Sequence, residues 1–214
     1  MSTVSKINEE TLASLRESVR QKMRECRFLH TLGVEKEIAA LGELYLPQDV
    51  LRLRVAALLH DLTKECSYDE QLALCERGGV LLTEEELRSP KILHAFTAPI
   101  VISEEYPQID DPTILMAIRQ HTTGDAKMSL FSKLLYLADY IEEGRNFDDC
   151  RKLRSMFWDG IDTLPENKYE EHLNKILLAS FEMTIASLES EGAPIAPKTL
   201  AARAALVAEI SNYN

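Results

Sequence analysis

The sequence predicts an all-α protein, because apolar residues recur at helical spacing along most of its 214 residues. Leu, Ala, Glu, Lys and Arg dominate the composition, and these residues favour helices. Only 8 Gly and 8 Pro are present, which leaves little room for the frequent tight turns of a β-sandwich. We expect one domain over residues 1–214, with a helical lead-in over residues 1–20 and a helical extension from about residue 170 to residue 214.

In the N-terminal half, helices are predicted from apolar periodicity and from capping residues. In the segment 50–62, one helical face is formed by Leu51, Val55, Leu58 and Leu62. Thr83 and Glu86 have the spacing of a capping box for a short helix. Ser-Pro at positions 89–90 and Asp-Pro at positions 111–112 each join an N-cap residue to a proline suited to the first helical position. Each pair therefore predicts the start of a helix.

In the C-terminal half, the segment 129–143 repeats its apolar residues at helical spacing. A longer helical pattern covers residues 172–190, and Gly192 is placed to end it. Pro194 and Pro197 then precede a short terminal helix. The segment Phe157–Tyr169 is the most turn-prone stretch, and we expect it to separate the core from the C-terminal helices.

The charge balance bears on the classes of partner. The chain has 24 Lys and Arg against 35 Asp and Glu, a net charge of −11, which repels nucleic acid and anionic membranes. No apolar run approaches the ~18 residues of a membrane span, and the N-terminus lacks the apolar segment of a signal peptide. The four cysteines have neither CxxC nor zinc spacing. We expect a soluble cytoplasmic protein that binds neither nucleic acid nor membrane.

Polar residues also occupy positions that the periodicity assigns to the interior. Asp61 directly follows His60 at the end of an apolar helix, and a buried aspartate is costly unless it is paired or binds a metal. His121 lies three residues after Ile118, on the buried face of its helix. Asp139 follows Leu135 by four residues, again on an apolar face. A single such residue is more often a satisfied polar group of the core or a helix cap.

The whole set is better explained by metal binding. Inward-facing imidazoles and carboxylates from several helices are the way in which helical bundles build dinuclear metal sites. Six residues fit this pattern: His30, His60, Asp61, His94, His121 and Asp139. Imidazole and carboxylate ligands without thiolate favour iron, manganese, zinc, nickel or cobalt over calcium. The fifth histidine, His172, has no patterned neighbours and is expected at the surface.

The order of these residues resembles the HD-domain metal-dependent phosphohydrolases with a six-ligand, two-metal site. The surrounding segments RFLHTLGVEKEI, AALLHDLTK, SPKILHA, AIRQHTTGDAKMS, YLADYIEEGRNF and GAPIAPKT resemble the bacterial YqeK family of symmetrical bis(5′-nucleosyl)-tetraphosphatases. The resemblance implies an HD-domain helical bundle with a dinuclear metal site between its helices, and it implies iron as the metal. It also implies hydrolysis of diadenosine tetraphosphate, and related dinucleoside polyphosphates, to two ADP.

The resemblance assigns the ligands to two ions. One ion would be held by His30, His60, Asp61 and Asp139, and the other by Asp61, His94 and His121. Asp61 would then bridge, since a carboxylate has two oxygens to share. Two such ions can lower the pKa of a bridging water and give a hydroxide that attacks phosphorus. The expected catalytic residues are Asp61, Lys64 and His94.

Further residues are candidates for substrate binding. Lys64 lies one helical turn after His60, and Arg145 lies six residues after Asp139, so either could hold phosphate oxygens. The remaining candidates lie beside the ligands or are ligands themselves: Gly33, His94, His121, Thr122, Thr123 and Tyr140. Each also has a structural interpretation: a solvated lysine, a helix C-cap at Gly33, helix termination at the threonines, and a core position for Tyr140.

Two alternatives remain open from the sequence. The same metal site could act on a deoxynucleoside triphosphate, a nucleoside monophosphate or a cyclic nucleotide. The chain could instead be a non-catalytic sensor of metal or nucleotide. The expected partners are a dinucleoside polyphosphate and its product, ADP or GDP, and a homodimer is possible.

Overall fold

The computed structural model describes residues 7–213, and it confirms the all-α class over that range. Eleven α-helices and three short 3-10 helices follow one another in these residues without a strand. The α-helices are α1 (Glu9–Arg20), α2 (Glu25–Tyr45), α3 (Val50–Leu59), α4 (Tyr68–Arg77), α5 (Glu84–Leu87), α6 (His94–Glu105), α7 (Pro112–Gln120), α8 (Leu130–Ile141), α9 (Asp148–Ile161), α10 (Tyr169–Ser190) and α11 (Pro197–Ser211). Within the described residues, no helix is long and apolar enough to cross a bilayer.

Helix α3 lies at the centre of the bundle. Its sequence, VLRLRVAALL, is apolar over most of its circumference, and such a helix has to be covered on several sides. Helices α1, α2, α7 and α8 pack around it, and Leu53 and the residues 55–59 are buried. The C-terminal end of α3 therefore opens into the interior rather than into water, and this end carries His60 and Asp61.

The predicted capping signals are mostly confirmed. Thr83 and Glu86 form a capping box at the start of α5, and the Asp111 side chain accepts a hydrogen bond from the Thr113 amide at the start of α7. Pro197 occupies the first turn of the predicted terminal helix. Ser-Pro at positions 89–90 instead begins a separate 3-10 helix, and α6 starts only at His94.

The prediction of a turn-prone segment at Phe157–Tyr169 is wrong in its first part. Helix α9 continues to Ile161, because Leu153, Phe157 and Ile161 form a buried stripe at helical spacing. Gly160 serves a close approach within this helix, since a Cβ there would lie 2.6 Å from the His172 ring of α10. His172 is half-buried, not a free surface residue, and its Nε2 donates to the Phe157 carbonyl over 2.9 Å.

Helices α1, α2 and α3 are joined by one buried carboxylate. The Glu35 side chain, 6% exposed, accepts from Arg16 of α1 at 2.8 and 2.5 Å. It also accepts from Arg54 of α3 at 3.1 Å. A buried charge needs such partners to offset its lost hydration.

We expect Glu35→Ala to lower the free energy of unfolding by about 2 kcal/mol, because it removes charge-assisted hydrogen bonds to two partly exposed arginines. Urea denaturation measures the change. Lys36→Ala is the control, since Lys36 pairs with Glu143 at side chains that are both 77% exposed. Equal losses for the two variants would contradict the role of the buried carboxylate.

Candidate metal centre

All six predicted ligands converge on one point of the bundle. They come from the second turn of α2, from the C-terminal ends of α3 and α7, from the first residue of α6 and from the last turn of α8: His30, His60, Asp61, His94, His121 and Asp139. Four of these residues are at most 3% exposed, namely His60, Asp61, His94 and His121. The centre thus lies where helices end against one another, with little access for water.

Three of the four imidazoles are held through the same ring nitrogen. His60 Nδ1 donates to the Ala57 carbonyl and His121 Nδ1 to the Ile118 carbonyl, each over 2.6 Å. Both carbonyls belong to the last turn of a helix, where the helix itself supplies no partner. His30 Nδ1 donates to Glu142 over 3.0 Å. With the proton on Nδ1, each Nε2 presents a lone pair toward the centre, as a metal ligand requires.

Asp61 stands between two groups of imidazoles. Its Oδ2 lies 3.5 Å from His60 Nε2 and 3.7 Å from His30 Nε2. Its Oδ1 lies 3.1 Å from His94 Nε2 and 3.8 Å from His121 Nε2. Each oxygen therefore faces a different pair of rings, which is the arrangement of a bridging carboxylate. Asp139 joins the first group, with Oδ1 3.0 Å from His30 Nε2.

The donor atoms fit metal ions. Ligand atoms of His30, His60 and Asp139 all lie within 4.8 Å of one another, and so do those of His60, Asp61 and His121. The Nε2 atom of His60 is buried without a hydrogen-bond partner, which is costly for a polar atom unless it binds a cation. His60 thus lies close to both groups. His94 belongs to the second, since its Nε2 is 3.0 Å from His121 Nε2.

The pKa shifts in the cluster favour ionised carboxylates and a neutral His94 ring, which are the forms that bind cations. Burial disfavours the charged forms of Asp61 and Asp139, but neighbouring imidazoles hold the pKa of Asp61 well below its usual range, and Arg145 together with imidazoles does the same for the pKa of Asp139. Burial lowers the pKa of His94 to about 3, so its ring is neutral near pH 7. Burial also acts on His30, but hydrogen bonds to Asp139 and Glu142 raise its pKa to about 9. A cation that binds there displaces a proton from His30.

Three basic side chains surround the ligands. Lys64 Nζ lies 3.2 Å from His94 Nε2, and burial lowers the pKa of this amine. Arg145 donates to Asp139 Oδ1 over 2.6 Å. Arg27, which the sequence reasoning did not single out, donates to Asp61 Oδ2 over 2.7 Å. An anion that reached the cluster would meet a cationic group on each side of it.

Glu142 is a second residue that sequence reasoning missed. Its carboxylate, 3% exposed, holds His30 Nδ1 and accepts from the Gly144 amide over 2.6 Å. A signal was present, because Glu142 follows Asp139 by one helical turn, as Arg27 precedes His30 by one turn.

The candidates for substrate binding differ in their surroundings. Gly33 lies inside α2 and is therefore not a C-cap, and a Cβ there would lie 2.2 Å from Glu142 Oε2. Its close approach is thus to Glu142, where the sequence reasoning expected a ligand. Thr122 Oγ1 lies 3.2 Å from His94 Nε2 and 3.1 Å from His121 Nε2. Thr123 is buried and donates to the Gly124 carbonyl, while Tyr140 is half-buried beside Asp139.

Comparison with known proteins gives one family and several similar chains. The sequence model of the HD domain matches residues 27–144. A symmetrical bis(5′-nucleosyl)-tetraphosphatase of Halalkalibacterium halodurans is 32% identical over 86% of this chain and 90% of its own length. A protein of the same name from Bacillus subtilis is 32% identical over 89% and 92% of the two chains. A crystal structure from Clostridium acetobutylicum, described as a predicted HD-superfamily hydrolase involved in NAD metabolism, superposes with a TM-score of 0.79. It has 31% identity and covers 92% of this chain and 97% of its own.

We expect Asp61→Ala to lose bound metal, because the variant lacks the carboxylate that both groups of imidazoles face. Elemental analysis of protein purified without chelator measures the metal per chain. His172→Ala is the control, since it removes an imidazole whose only described hydrogen bond is to Phe157, outside the cluster. A full metal complement in Asp61→Ala, with an unchanged circular dichroism spectrum, would contradict the assignment.

We expect Glu142→Ala to weaken metal binding by roughly 10- to 100-fold, the usual effect of removing the group that orients a ligating histidine. Metal titration of the metal-free protein gives the affinity. Glu143→Ala is a matched control, because Glu143 is the next residue and its side chain is 77% exposed. An affinity equal to that of the control would mean that Glu142 does not position His30.

Proposed function

This chain belongs to the HD-domain family, and we propose that it hydrolyses diadenosine tetraphosphate and related dinucleoside polyphosphates symmetrically. The observation that carries the proposal is the Asp61 carboxylate, shared between two groups of buried imidazoles and bordered by cationic side chains. The motifs around these residues and the names of the relatives from H. halodurans and B. subtilis point to the same substrate.

The reaction consumes one water for each substrate molecule. The water oxygen forms a bond to one of the two inner phosphorus atoms, and the central P–O–P bridge breaks. The bridging oxygen leaves with the other half of the molecule, so both products are ADP. Attack at an outer phosphorus would give ATP and AMP instead.

Divalent ions are the cofactors that this donor set suits, and iron is the first candidate from the resemblance. Ions bound by the six ligands would activate a water and neutralise charge on the phosphate oxygens. The three imidazoles held through Nδ1 keep the ligand geometry fixed, so the site needs little reorganisation during the reaction.

Basic residues would orient the polyphosphate. Lys64 borders the His94 and His121 side of the cluster, and Arg145 borders the Asp139 side. A chain of four phosphates can thus meet a cation at either end of the metal centre. We propose Asp61, Lys64 and His94 as the catalytic residues because they meet at one point, with Lys64 on the phosphate oxygens.

A protein with a net charge of −11 would be expected to repel an anionic substrate, but the local charge at the metal centre is different. Two divalent ions contribute +4, and the nearby carboxylates offset only part of this charge. Exposed acids farther away are screened within about 8–10 Å by salt. An anionic substrate is therefore attracted to this point.

We expect the metal-loaded protein to convert diadenosine tetraphosphate to ADP as the only nucleotide product. Ion-exchange chromatography of early time points distinguishes ADP from an equal mixture of ATP and AMP. Asp61→Ala serves as the inactive control. Formation of ATP and AMP, or no turnover at full metal occupancy, would exclude symmetrical hydrolysis, and tight ADP binding without turnover would favour the sensor alternative.

A further inference from the structure

Two hollows in the structure adjoin the metal centre, each next to a different group of predicted metal ligands. The first, which we name the threonine cavity, has a volume of about 260 Å³ and is lined by Lys91, Thr122, Thr123, Pro194 and Ala196, among others. The second, which we name the Phe147 groove, has a volume of about 440 Å³ and is lined by Tyr140, Arg145, Phe147, Asp149 and Met183, among others. Both are of a size at which proteins hold parts of small ligands.

Each hollow contacts a different group of ligands. The threonine cavity reaches the second group through Thr122, whose hydroxyl lies within 3.2 Å of His94 Nε2 and His121 Nε2. The Phe147 groove reaches the first group through Arg145, whose guanidinium donates to Asp139 over 2.6 Å. Each hollow therefore adjoins a different group of the metal centre.

Helix α10 provides a wall that the two hollows share. Thr184 and Leu188 of this helix, and Glu191 directly after its end, line both. An extended ligand centred on the metals can thus keep contact with α10 on both sides.

We propose that the Phe147 groove binds the second nucleoside of the substrate, with its base stacked on Phe147, while the first nucleoside occupies the threonine cavity. This inference rests on the proposed function, because only a dinucleoside polyphosphate has a nucleoside at each end of its phosphate chain. The two identical nucleosides of the substrate would then bind in two different subsites.

Phe147 has the exposure that stacking requires. Its side chain is 72% exposed although it lines the groove, so much of the ring is available to a ligand. Exposed apolar residues are common one at a time. This ring, however, stands two residues after Arg145, which contacts the metal centre, and at the N-cap of α9. An aromatic face at this place can accept any base, because every base has a π-face.

The charges in the groove match the order of groups in a nucleotide. Arg145 connects the groove to the metal centre, where phosphates would lie. Asp149 and Glu191 also line the groove, and their carboxylates repel phosphate. They can, however, accept hydrogen bonds from ribose hydroxyls or from base N–H groups. The groove thus suits the nucleoside end and not an additional phosphate.

The test compares diadenosine tetraphosphate with adenosine 5′-tetraphosphate, which lacks the second nucleoside and would give ADP and pyrophosphate. Values of kcat and KM are measured with metal-loaded wild type, Phe147→Ala and Phe147→Trp. We expect wild type to prefer the dinucleoside. Phe147→Ala should raise KM for the dinucleoside by roughly tenfold, as loss of one base–aromatic stack does, with kcat little changed. Phe147→Trp should keep the preference.

Leu81→Ala is the matched control, because Leu81 is 94% exposed and lines neither hollow. A dinucleoside preference in Phe147→Ala equal to that of Leu81→Ala would overturn the inference, and so would a wild type with equal kcat/KM for both substrates. Either result is compatible with two ADP as products, so the proposed function would stand. A wild type that forms no ADP from diadenosine tetraphosphate would overturn both.

Discussion

The buried carboxylate of Asp61 is the interaction on which this structure depends. It is 3% exposed, and its two oxygens face different imidazoles supplied by α2, by the ends of α3 and α7 and by the start of α6. An isolated charge at such a place would be strongly unfavourable. The surrounding imidazoles and Arg27 make it tolerable, and cations would do so more fully. The helix ends can meet here only if the charge of this carboxylate is balanced. The packing of the helices therefore depends on the same imidazoles and cationic groups that form the site.

Much of the fold and the centre of the site could be predicted from sequence, and particular residues show why. The His60-Asp61 pair ends a helix that is apolar almost all round, so burial of both followed from local pattern alone. Arg27 and Glu142 lie one helical turn from His30 and Asp139, a spacing that places them near the site, but the atoms that they bind belong to residues 34 and 112 positions away and are identified only by the folded chain. The turn-prone interpretation was wrong for residues 157–161 because Asp159 and Gly160 resemble a turn, whereas burial of Phe157 and Ile161 decides the conformation.

The charges on the surface of this protein differ from those around its metal centre. The chain as a whole is acidic, and many of its exposed carboxylates are paired with nearby lysines and arginines, such as Glu171 with Lys168 and Lys175. Around the metal centre the basic and acidic side chains are equal in number: Lys64, Arg27 and Arg145 border the carboxylates of Asp61, Asp139 and Glu142. Solvent and salt screen the first set of charges more than the second. A small polyphosphate can therefore be attracted to the metal centre, whereas a long nucleic acid is repelled by the acidic surface.

The absence of a side chain at Gly33 affects the packing around it. Its backbone is ordinary helix, in which glycine costs up to about 1 kcal/mol relative to alanine. The space that a methyl group would fill is already taken by Glu142 Oε2, 2.2 Å from where that carbon would be. Even the smallest side chain would push this oxygen aside, and the other oxygen of the same carboxylate accepts from the ring of His30. The missing side chain thus leaves room for a carboxylate from more than a hundred positions further along the chain, which holds an imidazole one turn away.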